Sequence, residues 1–138
     1  MSYKFLEGIS LADVAFEAKG KTLEEMFVSA AEAMTLTMVK DLKTVKPKVT
    51  KKISLKAENV EKLLYAFLEE LIFLKDSKVM VFSKFKLKVT ETSLSGEILG
   101  EKLDMKKHEM LVDVKAVTMH MFEVKKNGKW KARVVLDV

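Results

Sequence analysis

Between residues 11 and 18 polar and apolar positions alternate, with Ala12, Val14, Phe16 and Ala18 on one side and Leu11, Asp13, Ala15 and Glu17 on the other. That period of two marks a half-buried strand. Gly20-Lys21 ends it, and Thr22-Leu23-Glu24-Glu25 has capping-box spacing, in which the Thr22 hydroxyl accepts the backbone N–H of Glu25 and the Glu25 carboxylate reaches back. From there Leu23, Met26, Phe27, Ala30, Met34 and Met38 keep to one helical face as far as Val39. A methionine row at this spacing reads as core filling.

Beyond Pro47, residues 49–55 set charged side chains between apolar ones and read as a strand near a sheet edge, with Lys48, Lys51, Lys52 and Lys56 read as solvated edge protection in preference to a basic patch. Asn59 stands at the N-cap of a second helix, whose apolar positions Val60, Leu63, Leu64, Phe67, Leu68, Leu71 and Ile72 follow three-four spacing. Residues 79–90 and 94–103 read as two further strands. Residues 113–120 are apolar on both sides, with Val112, Val114 and Ala116 alternating against Val117, Met119 and Met121, as in a central strand covered on two faces. A last strand over 130–138 follows an Asn127-Gly128 pair, a strong hairpin signal. The order β-α-β-α-β-β-β-β describes one α+β domain over residues 1–138, with a largely antiparallel β-sheet and two long amphipathic helices packed against it.

The hairpin predicts a cluster. With Asn127-Gly128 as a two-residue type I′ loop, Lys126 pairs with Lys129 and, farther out, Thr118 pairs with Asp137. Ala116 and His120 are then diagonal to Asp137 on the same face, and the carboxylate of Val138 is one residue away.

Composition narrows the chemistry. The chain has 138 residues, enough for a core without staples, and its lack of cysteine excludes disulfides, thiolate metal sites and cysteine nucleophiles and fits a reducing compartment. No signal peptide is apparent, and the most apolar stretch, residues 63–74, is interrupted by Glu69 and Glu70, so a soluble cytoplasmic protein without a membrane span is expected. The net charge of +5 favours an anionic partner such as RNA, yet lysines interspersed with glutamates are also what a solvated surface shows, and no aromatic-glycine motif for stacking bases is present. Nor is there a phosphate-binding glycine loop, a His-Glu-x-x-His pair or a nucleophile elbow, so no catalytic residue is assigned. What remains is the cluster at the chain's end. Asp137 and the Val138 carboxylate are hard oxygen donors suited to calcium, magnesium or manganese, and Asp13 can complete a site if its strand lies alongside. Against this stands the plainer reading, a solvated terminal Asp and a structural His.

Several blocks carry a resemblance: Ser10-Leu11-Ala12-Asp13-Val14, Gly20-Lys21-Thr22-Leu23-Glu24-Glu25, Leu63-Leu64 with Glu69-Glu70-Leu71, Val114-Lys115-Ala116-Val117-Thr118-Met119-His120, and the closing Val135-Leu136-Asp137-Val138. In this order, over nearly the whole chain, they resemble the archease family. The resemblance implies a small protein that assists the RtcB-type RNA-splicing ligase, promoting its GTP- and metal-dependent guanylylation and turnover in tRNA splicing. It implies no RNA joining by the helper itself, which meets tRNA only through the ligase. It further implies a divalent cation, calcium first and magnesium or manganese as alternatives, bound by Asp13, Asp137 and Val138, with His120 the matched histidine of the downstream block; the hairpin cluster adds Thr118 beside His120 as a supporting residue. Two positions depart from the family pattern: its His-Thr is Ser10-Leu11 here, and the aromatic residue before the downstream histidine is Met119. The alternatives are a stand-alone RNA-binding or chaperone-like module in RNA processing, and a metal-dependent hydrolase using Asp13 and Asp137.

Overall fold

A layer of two helices lies between two antiparallel sheets. The computed structural model describes residues 2–6 and 13–138. In chain order the elements are β1 (Ser2–Leu6), β2 (Asp13–Gly20), α1 (Leu23–Met38), a 3-10 turn (Leu42–Thr44), β3 (Val49–Lys56), α2 (Val60–Lys78), β4 (Met80–Val89), β5 (Ser93–Lys102), β6 (Ala116–Asn127) and β7 (Lys129–Asp137). One sheet has the order β1-β2-β7-β6 and the other β3-β5-β4. Helix α1 packs on β1, β2 and β7 of the first sheet and on β4 of the second, while α2 packs on β6 and on β3, β4 and β5. The α+β class, both helices and the edge position of β3 agree with the sequence. Two differences stand out: the strands divide into two sheets, and β1 adds a strand before the alternating run.

Local chemistry sets the helix boundaries. Thr22 Oγ1 accepts from Glu25 N at 3.2 Å, and Glu25 Oε1 accepts from Lys21 N at 3.3 Å. Gly20 is needed here because a Cβ would lie 2.4 Å from the backbone nitrogen of Met26, where the strand end touches the first turn of α1. Asn59 Oδ1 caps α2 through Lys62 N at 2.9 Å. The apolar stripes then meet: Met26, Phe27 and Met34 of α1 and Leu63, Leu64, Phe67 and Leu68 of α2 are fully buried. Each such side chain contributes about 1.5–3 kcal/mol by leaving water.

Residues 103–115 follow an irregular path across the end of α1, and two ionic nodes hold them. Glu101, nearly buried, accepts from Lys46 N (2.7 Å) and Lys107 Nζ (2.7 Å) and meets His108 Nε2 (3.1 Å). His108 Nδ1 accepts from Asp104 N at 2.9 Å, so its proton sits on Nε2 and is donated to Glu101. Farther on, Leu111 N bonds Met38 O, buried Lys75 of α2 pairs with Asp113 and Asp76, and Lys115 N donates to Asp137 O at 2.8 Å. Burial alone would lower the pKa of Lys75, but the two carboxylates outweigh it and raise it.

The central-strand reading of residues 113–120 is therefore corrected. β6 begins at Ala116 and is an edge strand; β7 is interior. The two-sided apolarity has separate sources: Val114 is buried from the crossing segment, Val117 faces the core, and Met119 and Met121 are exposed. Glu69 Oε1 of α2 accepts from Val117 N at 3.3 Å, and Tyr65 packs edge-on to Phe122, so the helix covers part of this edge.

Burial raises the pKa of the Glu101 carboxyl, but the bonds from Lys107, Lys46 N and His108 prevail and hold it down to about 2. A carboxylate held below its ordinary value of 4.5 adds stability above that pH, and the contribution disappears as pH falls toward about 2. Glu101→Gln should cost roughly 2–3 kcal/mol at neutral pH through loss of charge-assisted bonds. In thermal melts from pH 7 to 2 the variant should lose less stability than the parent; parallel curves would exclude Glu101 as the titrating group.

Candidate metal centre

Antiparallel pairing of β2 with β7 brings residues 13–20 against 130–137, and its register sets Asp13 directly opposite Asp137. Phe16 and Ala18 join the helix-packed core along with Ala132, Val134 and Leu136, so the odd-numbered residues of both strands lie on the other, outer face. That face is ordered in cross-strand rows. The first contains Asp13, Asp137 and Ala116, and the next Leu6, Ala15, Val135 and Thr118. Directly opposed side chains have Cβ atoms about 5 Å apart, so one ion can bridge the two carboxylates.

The hairpin register differs from the expected one. Lys126 pairs with Trp130 and Asn127 with Lys129, so the chain reverses about Gly128, which takes the left-handed backbone at φ 75°. Between the Glu123–Arg133 and Thr118–Val135 pairs β6 advances five residues while β7 advances two, leaving a wide bulge. Thr118 is thus opposite Val135 rather than Asp137, whose partner is Ala116. Because the net displacement from the expected pairing is two residues, Asp137 remains on the Thr118 face, diagonal to it. His120 lies within the bulge, outside the ladder and exposed, and is not brought to Asp137 by pairing. The bulge is pinned by Arg133, the chain's lone arginine, whose Nε donates to Met121 O and Nη2 to Glu123 Oε2, each at 3.0 Å. Met121 takes the left-handed backbone at φ 57°.

The donor set suits a hard cation. Among the described residues neither Asp13 nor Asp137 has a cationic partner, and the Thr118 hydroxyl is buried without a hydrogen bond. No group of three His, Asp or Glu side chains converges among the described residues, so the two carboxylates need neutral or terminal oxygens to complete a shell. Val138 follows Asp137 half-buried, its side chain packed on the core. The sequence block at Ser10-Leu11-Ala12 lies outside the described residues.

The whole of residues 3–138 matches the model of the Archease protein family (MTH1598/TM1083). The chain belongs to the archease family. It is 37% identical over 133 residues to the archease of Pyrococcus furiosus, covering 92% of this chain and 93% of that one. The archease of Methanothermobacter thermautotrophicus is 40% identical over 132 residues, with the same coverage. The solution structure of Methanobacterium thermoautotrophicum protein 1598 superposes with a TM-score of 0.84 at 38% identity, covering 99% of this chain and 98% of that one. An archease from Thermotoga maritima, described as a possible chaperone, shares the fold at a TM-score of 0.64 and 21% identity, covering 94% and 93%. No helix among the described residues is long and apolar enough to cross a membrane.

Thr118→Val removes a buried hydroxyl that lacks a partner and keeps the shape, so the metal-free protein should gain about 1 kcal/mol in denaturant unfolding. If the hydroxyl helps hold a cation, the same variant should bind calcium more weakly by calorimetry. A destabilised apo protein would mean that the hydroxyl has a partner after all.

Proposed function

We propose that the chain is a protein cofactor of an RtcB-type RNA ligase, promoting metal- and GTP-dependent guanylylation of the ligase and its multiple turnover in cytoplasmic tRNA splicing. The chain itself is not the catalyst, and tRNA is met through the ligase. The observation that carries this reading is the row in which Asp13 faces Asp137, formed in a chain of the archease family. Asp13, Asp137 and the Val138 carboxylate would hold the divalent cation, calcium first and magnesium or manganese as alternatives, with Thr118 as a neutral oxygen nearby. When bound, the cation supplies positive charge against phosphoryl oxygens. The protein's part is positional. β7 is interior, so pairing on both sides fixes Asp137, while β2 holds Asp13 beside it.

Guanylylation of the ligase under multiple turnover, with and without this protein, tests the proposal: the expected result is faster nucleotide loading, and no stimulation overturns it. Calorimetric titration isolates the ligands. Asp137→Asn, or a peptide appended after Val138 that converts the carboxylate to an amide, should weaken cation binding by about tenfold or more while the apo melting temperature barely moves. Asp113→Asn should do the opposite, since its partner is Lys75: lower stability with unchanged cation affinity.

A further inference from the structure

Six residues along the outer face from the carboxylate row, the same sheet carries a row of like charge. Lys131 of β7 is directly opposite Lys19 on one side and Lys125 on the other, so three lysines stand in one row across three strands. Such opposition is destabilising in the isolated protein. Two of the three have a carboxylate in the neighbouring row, Lys131 with Glu17 at 3.3 Å and Lys125 with Glu123 at 2.7 Å; Lys19 has none among the described residues. One step nearer the turn Lys129 joins them, and a hollow forms that is lined by Lys19, Lys125, Asn127, Gly128, Lys129 and Lys131.

We infer that this lysine row is a sequence-independent seat for the phosphate backbone of single-stranded RNA. The choice of RNA rests on the ligase-cofactor reading, to which it adds a direct contact between this chain and the RNA that the ligase holds; the choice of a polyanion rests on the row itself. The lining contains only lysine, asparagine and glycine, with no aromatic or aliphatic anchor. Protein interfaces are built around such anchors and are depleted in lysine at their centres, whereas backbone contacts to nucleic acid need charge alone. The absence of an aromatic platform in the hollow also means that bases are not read. Six residues of extended strand span about 20 Å, so a phosphate chain seated on the lysines would be about that far from a cation held at the carboxylate row.

The test uses the isolated full chain and a labelled single-stranded RNA of arbitrary sequence, titrated by fluorescence anisotropy at several salt concentrations, with guanylylation measured separately in the absence of RNA. The triple variant Lys19→Gln, Lys125→Gln, Lys131→Gln should weaken RNA binding by about tenfold or more and flatten the dependence of log affinity on log salt by about 2, at roughly 0.7 for each phosphate no longer neutralised. The corresponding triple arginine variant should retain binding, and Lys19→Glu alone, at the position without an ion pair, should weaken it even if the triple glutamine variant folds poorly. Guanylylation stimulated equally by the parent and the glutamine variant supports the inference. If the parent fails to stimulate guanylylation but the lysine-dependent RNA binding is found, the row stands and only the ligase reading falls. RNA affinity and salt slope unchanged in both the glutamine and the glutamate variants would overturn it, as would loss of ligase association with RNA binding intact, which would make the row a protein-binding surface.

Discussion

Pairing of β2 with β7 unites residues 13–20 with 130–137, and nearly everything else in the sheet depends on it. It gives β7 a neighbour on each side, so that Ala132, Val134 and Leu136 can be buried against the helices. It also makes the pairing of greatest sequence separation the one that assembles the candidate centre. Loop-closure entropy opposes such a pairing, and the apolar inner row of Phe16, Ala18, Val134 and Leu136 is what offsets it. Two carboxylates in one row repel each other, and that cost is borne by the same inner row on the reverse side of the strands.

Charge holds the irregular parts in the way that apolar surface holds the regular ones. Residues 103–115 have no ladder of their own and are fixed by Glu101 at one end and by Lys75 with Asp113 at the other. In both nodes a nearly buried group meets more than one partner, the condition under which burying a charge is tolerable. This path delivers the chain to β6 and, through the bond from Lys115 N to Asp137 O, steadies the backbone at the end of β7. The bulge is held in similar fashion by Arg133, whose planar guanidinium reaches a carbonyl and a carboxylate at once. A lysine there could not make that fork.

The outer face consequently reads as a polarity gradient. Carboxylates at one end give way to an apolar row containing Ala15 and Val135, then to the alternating row of Lys4, Glu17, Arg133 and Glu123, and finally to lysines. A cation and a phosphate chain call for opposite fields, and the gradient offers both without their cancelling, because the distance between the ends exceeds the screening length of about 8 Å at physiological salt.

Much of this was legible in the residues alone. Both helices could be read because their apolar spacing and caps, Thr22 with Glu25 and Asn59, are local features that tertiary packing reinforces. The archease family was legible in its blocks, and the possibility that the strand of Asp13 lies beside Asp137 followed from the chemistry of the donors. Only the tertiary structure decided the rest. Apolar residues on both sides of a stretch do not tell whether the cover comes from sheet neighbours or from a crossing segment, which is why residues 113–120 read as central when β6 is an edge. The turn register was open because Asn-Gly permits more than one loop length, and the bulge has no local signal because it is stabilised by Arg133, a residue from another strand. Thr118 and Asp137 kept a common face only because the displacement was even. The lysine row had no periodic signature, since Lys19 and Lys131 become neighbours through a pairing that spans nearly the whole chain.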